Sequence, residues 1–169
     1  MAKRIAAYTT LTPTATADTT NLVDSTYPMA LQGGSSVQRW NIVEVYLGGQ
    51  AGASTPTFML LSFDSQVATG SLTSDTALTD TANDGSAVVL ATTVKIFNKA
   101  ATSKPQRDTA KHLANLSFNA FGGIVRLNWP QDQQFSGVGN TASFGEMSLS
   151  AFTGGTAGLL GAHIIYEPF

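Results

Sequence analysis

Short apolar runs separated by turn-forming residues make up most of the chain after Gly33. Runs such as RWNIVEVYL, FMLLSF and GEMSLSAF have the length of strands, and Gly, Pro and Asn recur between them. No apolar pattern with the period of a helix persists for as many as about ten residues, so long helices are not expected. About six to nine short strands of this kind favour two antiparallel layers or a closed barrel. The pattern therefore predicts an all-β domain over residues 29–169, an antiparallel sandwich or barrel of jelly-roll type.

Alternation within these runs predicts which side chains face the core. In GEMSLSAF the apolar set is Met147, Leu149 and Ala151, and the polar set is Glu146, Ser148 and Ser150. RWNIVEVYL is apolar on both faces, which is typical of a strand that is covered on both sides. LSFNAFGGIVRLNW indicates two strands that meet at Gly122 and Gly123.

The segment KAATSKPQRDTAKHLAN is polar and contains the main basic cluster of the chain, which consists of Lys99, Lys104, Arg107 and Lys111. It predicts a long connection with one helical turn after an Asp108 cap. Aromatic residues do not alternate with these basic residues as they do in single-strand nucleic-acid sites. A solvated loop is the first interpretation, and a contact with an acidic protein surface is the second.

The first 28 residues have a different composition from the rest. From Tyr8 to Tyr27 the sequence is dominated by Thr and Ala, with isolated apolar residues at Leu11, Leu22 and Val23. Thr favours extended backbone, and this segment has too little apolar surface to form a core of its own. We expect residues 1–28 to form an extended arm that binds a partner through Tyr8, Leu11, Leu22 and Val23. An ordinary frayed terminus is the alternative.

The charge content and the absence of Cys exclude several classes of function. Only 12% of the 169 residues are charged, and nine basic against eleven acidic residues give a net charge of −2. This balance argues against a strongly basic nucleic-acid binder. Sparse charge instead favours a surface that partners cover. There is no Cys, which excludes disulfides and thiolate metal sites. No run reaches the ~20 apolar residues of a membrane-spanning helix, and the N-terminus does not resemble a signal peptide, so we expect no membrane partner.

Candidate catalytic residues are few. His112 and His163 lack a second His at metal-ligand spacing, and His163 lies between apolar neighbours. A core or subunit-contact role is therefore expected for His163, and the nearby Tyr166 is a second candidate subunit contact. No GxSxG elbow and no phosphate-binding loop occurs, and three Glu residues offer little for paired-carboxylate hydrolysis. We expect neither enzymatic activity nor a cofactor.

One loop could gather oxygen ligands for Ca²⁺. It contains Asp75, Asp80, Asn83 and Asp84, followed by Gly85. Ala82 occupies a position where a calcium loop needs an oxygen ligand, and Asn-Asp-Gly is also a common turn sequence. We therefore expect no metal site, with the 75–84 loop as the calcium alternative.

The C-terminal third carries a resemblance to a known group of proteins. Its features are NAFGG at 119–123, a Gly139-Asn140 turn before the GEMSLS strand, and the closing strand AHIIYE at 162–167. The runs VQRWNIVEVYLGG and STPTFMLLSF resemble the same group. These features are similar to those of the head decoration or cement proteins of tailed bacteriophages.

The resemblance implies a compact, often trimeric β-domain that docks on the outside of an assembled capsid and clamps adjacent capsomers. The implied partners are the major capsid protein and two further copies of the chain. The implied location is the virion surface, after synthesis in the host cytoplasm. A trimeric receptor-binding or fibre-tip domain is the alternative. A small hydrolase is the third hypothesis, and it needs a cleft that brings His112 or His163 near a carboxylate and a hydroxyl.

Overall fold

The chain forms two antiparallel β-sheets that share one core, as seen in a computed structural model. The structure describes residues 3–11, 29–54, 56–67, 78–82, 95–97, 106–119, 121–141, 143–153 and 159–169. The strands are β1 (Arg4–Leu11), β2 (Met29–Gln32), β3 (Arg39–Gln50), β4 (Pro56–Gln66), β5 (Leu78–Ala82), β6 (Lys95–Phe97), β7 (Gln106–Asn119), β8 (Val125–Asn128), β9 (Phe135–Val138), β10 (Glu146–Thr153) and β11 (Leu159–Pro168). The predicted all-β antiparallel sandwich is confirmed.

Strands that follow one another along the chain tend to lie in different sheets. The first sheet has the order β5-β1-β11-β3-β8, and β9 also pairs with β3. The second sheet has the order β6-β2-β10-β4-β7. The chain therefore changes sheet at every step from β1 to β6, and it changes sheet again from β7 to β8, from β9 to β10 and from β10 to β11.

The core lies between the two sheets and is built by alternate residues of the central strands. Its buried members are Met29, Leu31, Trp40, Ile42, Val45, Leu47, Met59, Leu61, Phe63, Leu116, Met147, Leu149, Ala162, Ile164 and Tyr166. The predicted inward positions of Met147 and Leu149 are confirmed. A Cβ at Gly137 of β9 would overlap the Trp40 ring, so glycine permits the close approach of that strand.

A bulge in β3 explains why RWNIVEVYL is apolar on both faces. Ile42 pairs with Tyr166 and Glu44 pairs with Ile165, which leaves Val43 as an extra residue. Even-numbered residues therefore face the core before the bulge, and odd-numbered residues face it afterwards. Glu44 consequently lies on the outer face of the sheet. The two-sided pattern reflects a change of register within one strand.

The predicted arm boundary is wrong for the first strand. β1 lies inside the first sheet, where it pairs with β11 on one side and with β5 on the other. Tyr8 and Leu11 belong to this strand and pair with Ala162 and Leu160 of the same chain. Backbone hydrogen bonds to two neighbouring strands need no apolar core, so a Thr-rich segment with extended backbone can join a sheet. Leu22 and Val23 lie outside the described residues, and the arm remains a prediction there.

The basic segment also differs from the prediction. Residues 106–115 belong to β7, which continues to Asn119 as the edge strand of the second sheet. The register between β4 and β7 shifts several times near Asp64, so this strand is irregular. Asp108 makes a local turn-like contact instead of capping a helix, because its Oδ1 accepts a hydrogen bond from the Ala110 N–H at 2.9 Å.

Candidate functional site

His163 and Tyr166 lie on opposite faces of β11. Tyr166 points into the core and is fully buried by its own chain, so a subunit contact through its side chain is excluded. His163 lies on the outer face, half-buried, and stacks on Tyr46 with ring centroids 4.4 Å apart. Of the two expected contact residues, only His163 borders a surface that a second molecule could reach.

His163 belongs to a group on the outer face of the first sheet that we call the open cluster: Glu44, Tyr46, Arg126, Asn128 and His163. The Arg126 guanidinium donates to Glu44 Oε2 at 2.8 Å, and the Asn128 amide donates to the same oxygen at 3.3 Å. The Arg126 side chain is 63% exposed, whereas that of Glu44 is 5% exposed. The cluster thus presents its basic end to water and its acidic end to the sheet.

The electrostatics of the open cluster favour ionised Glu44 and neutral His163. Burial opposes ionisation of Glu44, but the hydrogen bonds from Arg126 and Asn128 outweigh it and hold the pKa below the ordinary value. Burial lowers the pKa of His163, and the positive charge of Arg126 adds to this effect against the opposing charge of Glu44. The Glu44 carboxylate, whose charge acts on His163, is therefore already engaged by two donors.

Within the described part of the chain, the other candidate catalytic and metal-binding residues do not come together in one site. His112 is exposed on β7, far along the sequence from the open cluster. Asp80 lies in β5, while Asp75, Asn83 and Asp84 of the calcium alternative lie outside the described residues. Among the residues that the structure describes, no group of three His, Asp or Glu side chains could hold a metal ion.

A second polar group crosses the outer face of the second sheet, and we call it the buried row: Gln32, Glu146, Asp64 and Arg107. Glu146 pairs with Gln32, and Asp64 pairs with Arg107. Met147 pairs with Phe63, which brings the preceding Glu146 level with Asp64. The four residues therefore follow one another across β2, β10, β4 and β7. All are at most 4% exposed, although their side chains point away from the sandwich core.

Hydrogen bonds hold the buried row to its neighbours. The Gln32 amide donates to Glu146 Oε2 at 3.2 Å, the Ser148 hydroxyl donates to Asp64 Oδ1 at 2.6 Å, and Arg107 donates to the Ser150 hydroxyl at 2.9 Å. Burial raises the pKa of Asp64 well above its usual range, and the charge of Glu146 raises it further. Sequence reasoning assigned Glu146, Ser148 and Ser150 to a polar face but gave no sign that this face is covered.

Exposed apolar side chains gather at one end of the sandwich, and we call them the apolar end: Val37, Val138, Phe144 and Phe169. The segments that carry them are joined by backbone hydrogen bonds: Gly33 N to Gly139 O, Gly139 N to Gln38 O, Val138 N to Phe144 O, and Phe169 N to Arg39 O. Val37 is 79% exposed. Phe144 packs edge-on against Phe63, with Lys111 Nζ 4.4 Å from its ring centre.

A smaller exposed pair lies at the opposite end of β3. Phe121 and Ile124 lie in the connection between β7 and β8, and each is 62% exposed. A Cβ at Gly48, near the end of β3, would contact Ile124. Arg39, at the start of β3, pairs with Val138 of the apolar end. At about 3.3 Å per residue, the two apolar groups are roughly 30 Å apart along this strand.

Comparisons with known proteins identified no relative of this chain. No family model, no curated protein and no solved structure matches the chain. Within the described residues, no helix is long and apolar enough to span a membrane.

Proposed function

We propose that this protein is a structural virion component that docks on the outside of an assembled phage capsid and cements adjacent capsomers. The apolar end is the observation that carries the proposal. It places four exposed apolar side chains on segments joined by backbone hydrogen bonds, and grouped apolar surface is a mark of protein interaction sites. Phe is also enriched in the centres of protein interfaces. The major capsid protein is the partner that the resemblance of the C-terminal third implies.

The arrangement of the strands supports a jelly-roll type of sandwich. Without the edge strands β5 and β6 and the short strand β9, the sheets have the orders β1-β11-β3-β8 and β2-β10-β4-β7. Two interleaved Greek keys give orders of this kind, with the first and last strands adjacent in one sheet. Such a sandwich places its interstrand connections at the two ends. An end that carries exposed apolar side chains is then well placed to contact a lattice.

The energetic role follows from mass action. A protein that binds the assembled lattice, and not its dissociated subunits, stabilises the assembled state in proportion to the sites that it occupies. Low charge on the chain limits repulsion between copies bound to neighbouring capsomers. We also propose that the chain acts as a homotrimer, as the resemblance implies. The native mass in solution tests this proposal, because a monomer would contradict it.

Cosedimentation with capsids tests the docking proposal. The binding partner is the capsid, lacking this protein, of the tailed phage whose genome encodes the chain. Wild-type protein should pellet with these capsids, and the double variant Val37→Ser, Phe144→Ser should lose at least about tenfold in affinity because two interface side chains are truncated. The matched control is Phe121→Ser at the opposite end, which should bind as wild type does.

Each result has a distinct meaning. Failure of the wild-type protein to bind would contradict the cementing role. Loss of binding in the Phe121 variant alone would move the docking surface to the other end. Circular dichroism of each variant checks that the β-sheet is retained.

A receptor-binding or fibre-tip domain is the second candidate function, and the open cluster is the observation that favours it. Tyr46 and His163 provide aromatic surface beside the polar groups of Arg126 and Asn128. Aromatic rings next to hydrogen-bonding groups are suited to ligands with one apolar face and several hydroxyls, such as sugars. Binding to a glycan array that is lost in Tyr46→Ala would support this candidate. Absence of glycan binding would exclude it in favour of docking.

A further inference from the structure

We infer that Asp64 and Glu146 share a single proton in the folded protein, and that this makes the stability of the sandwich greatest in mild acid. The inference concerns the buried row and does not depend on the proposed docking. Its basis is the position of two carboxyl groups on adjacent strands in a site that water does not reach.

Geometry brings the two carboxyl groups together. β10 and β4 pair directly, and the register puts Glu146 beside Asp64 on the outer face of the second sheet. Directly opposite residues on neighbouring antiparallel strands have Cβ atoms about 4.5–5.5 Å apart, so the two carboxyl groups are neighbours on this face. Both residues have no exposed surface. Two ionised carboxylates at this separation repel each other strongly because little solvent screens them.

Hydrogen bonding also requires a proton between them. Ser148 donates to Asp64 Oδ1, but no donor within the described part of the chain reaches Oδ2. A carboxylate can only accept hydrogen bonds, whereas a protonated carboxyl group can donate one. One proton held by the pair converts the Asp64–Glu146 contact from a repulsion into a hydrogen bond. It also removes the cost of burying a carboxylate oxygen without a donor.

One proton on the carboxyl pair makes the net charge of the four residues of the buried row zero. Arg107 is 1% exposed and pairs in register with Asp64, so it contributes one buried positive charge. With one proton on the carboxyl pair, the row carries one positive and one negative charge. With no proton it carries a net negative charge, and burial of uncompensated charge is costly.

Among the described residues of the neighbouring strands, other charged groups lie on β7 and β6. On β7, Lys111 forms an ion pair with Asp108 at 3.0 Å, and His112 is exposed. On β6, the register places Lys95 opposite Gln32, two strands or about 10 Å from Glu146. Gln32 on β2 is neutral and donates to Glu146. Within the described strands, Arg107 is thus the basic residue that pairs in register with one of the carboxyl groups.

The sign of the pH dependence follows from linkage. The pKa of Asp64 is raised on folding, so the folded protein holds a proton that the unfolded chain releases above the ordinary value of 3.8. Stability is therefore lost as the pH rises from that value to the pKa in the folded state. Within this interval the folding equilibrium constant should fall by up to about tenfold per pH unit.

Urea unfolding of the full chain between about pH 5 and about pH 9 tests the inference. We expect wild-type stability to fall more steeply with pH than that of Asp64→Asn, because an amide provides the donor that the proton otherwise supplies. The titration of His163 is common to both proteins and cancels in this comparison. Glu146→Gln should flatten the pH dependence in the same way. The matched control is Asp132→Asn, an exposed carboxyl group in the 3-10 turn at Gln131–Gln133, which should keep the wild-type slope. An equal slope in wild type and Asp64→Asn would overturn the inference.

Infrared spectroscopy of the wild-type protein provides a test that needs no variant. A protonated carboxyl group absorbs at higher frequency than a carboxylate. We expect one such band to persist at neutral pH and to vanish on unfolding in urea. Absence of the band at neutral pH would overturn the shared proton even if the variants failed to fold.

Discussion

The outer faces of the two sheets hold similar residues in different environments. Each face places an acidic residue on a central strand beside an arginine on a neighbouring strand: Glu44 with Arg126, and Asp64 with Arg107. In the open cluster the arginine extends into water, and the pKa of Glu44 is lowered. In the buried row all the groups are covered, and the pKa of Asp64 is raised.

The difference shows that solvation decides how much an acid–base pair contributes to the stability of the fold. Desolvation raises the pKa of both carboxyl groups, but two hydrogen bonds to Glu44 outweigh it. Asp64 has the same kind of basic neighbour and in addition a second carboxyl group beside it. An exposed pair therefore gives little stability and depends on salt, whereas a buried pair is costly to disturb.

Removal of the buried arginine should have the largest effect. In Arg107→Met the aliphatic volume is kept, but the carboxyl pair loses its compensating charge and Ser150 loses a donor. We expect a loss of about 3–5 kcal/mol in the free energy of unfolding, measured in urea at neutral pH. The loss should be smaller in mild acid, where a second proton can neutralise the pair.

A double variant separates charge from packing. Arg107→Met combined with Asp64→Asn removes one carboxyl group together with the arginine. The two changes should therefore couple by about 1–3 kcal/mol relative to the sum of the single variants. Simple additivity would show that Arg107 acts through packing alone, and the contrast between the two faces would then fail.

The corresponding change in the open cluster should have a smaller effect. Arg126→Met removes the partner of Glu44, but Asn128 still donates to the same oxygen and water can replace the guanidinium. We expect Arg126→Met to lose much less free energy of unfolding than Arg107→Met, and we expect this loss to decrease as salt is added. An equal loss in both variants, or no effect of salt, would contradict the assigned difference in solvation.

The smallest expected effect concerns His163. Its pKa is lowered on folding, so the unfolded chain binds a proton first and stability falls as the pH drops below the ordinary value of 6.5. His163→Phe keeps an aromatic ring against Tyr46 and removes this titration. The difference in urea midpoint between wild type and variant should therefore grow from neutral to mildly acidic pH. A constant difference would mean that His163 does not sense pH.

Strand periodicity predicted the architecture but not the environment of every face. The alternation in GEMSLSAF correctly identified Met147 and Leu149 as core residues. It also separated Glu146 and Ser148 onto the other face, where polar residues normally meet water. Alternation reports which residues share a face and contains no information on what covers it. The burial of the four residues of the buried row could therefore not be predicted from the sequence pattern.

Backbone pairing explains the other differences. A bulge at Val43 changed the inward set of β3, and β1 joined the sheet although its side chains are mostly small or polar. Both events depend on hydrogen bonds between distant segments, which composition and periodicity do not record. The apolar end was unpredictable for a related reason. Val37 and Phe144 are far apart in sequence, and they meet at one end through the pairing of β3 with β9 and the backbone hydrogen bonds of the adjoining loops.

The pairing of β1 with β11 has a consequence for the mechanical strength of the chain. Arg4 lies opposite Tyr166, and the strands then run antiparallel away from that point. A force that pulls these two positions apart loads one hydrogen-bonded pair at a time, as in a zipper, and opens the pair at low force. A force applied along the strands loads all the pairs in parallel. The sandwich should therefore resist tension along its sheets far better than tension applied between Arg4 and Tyr166.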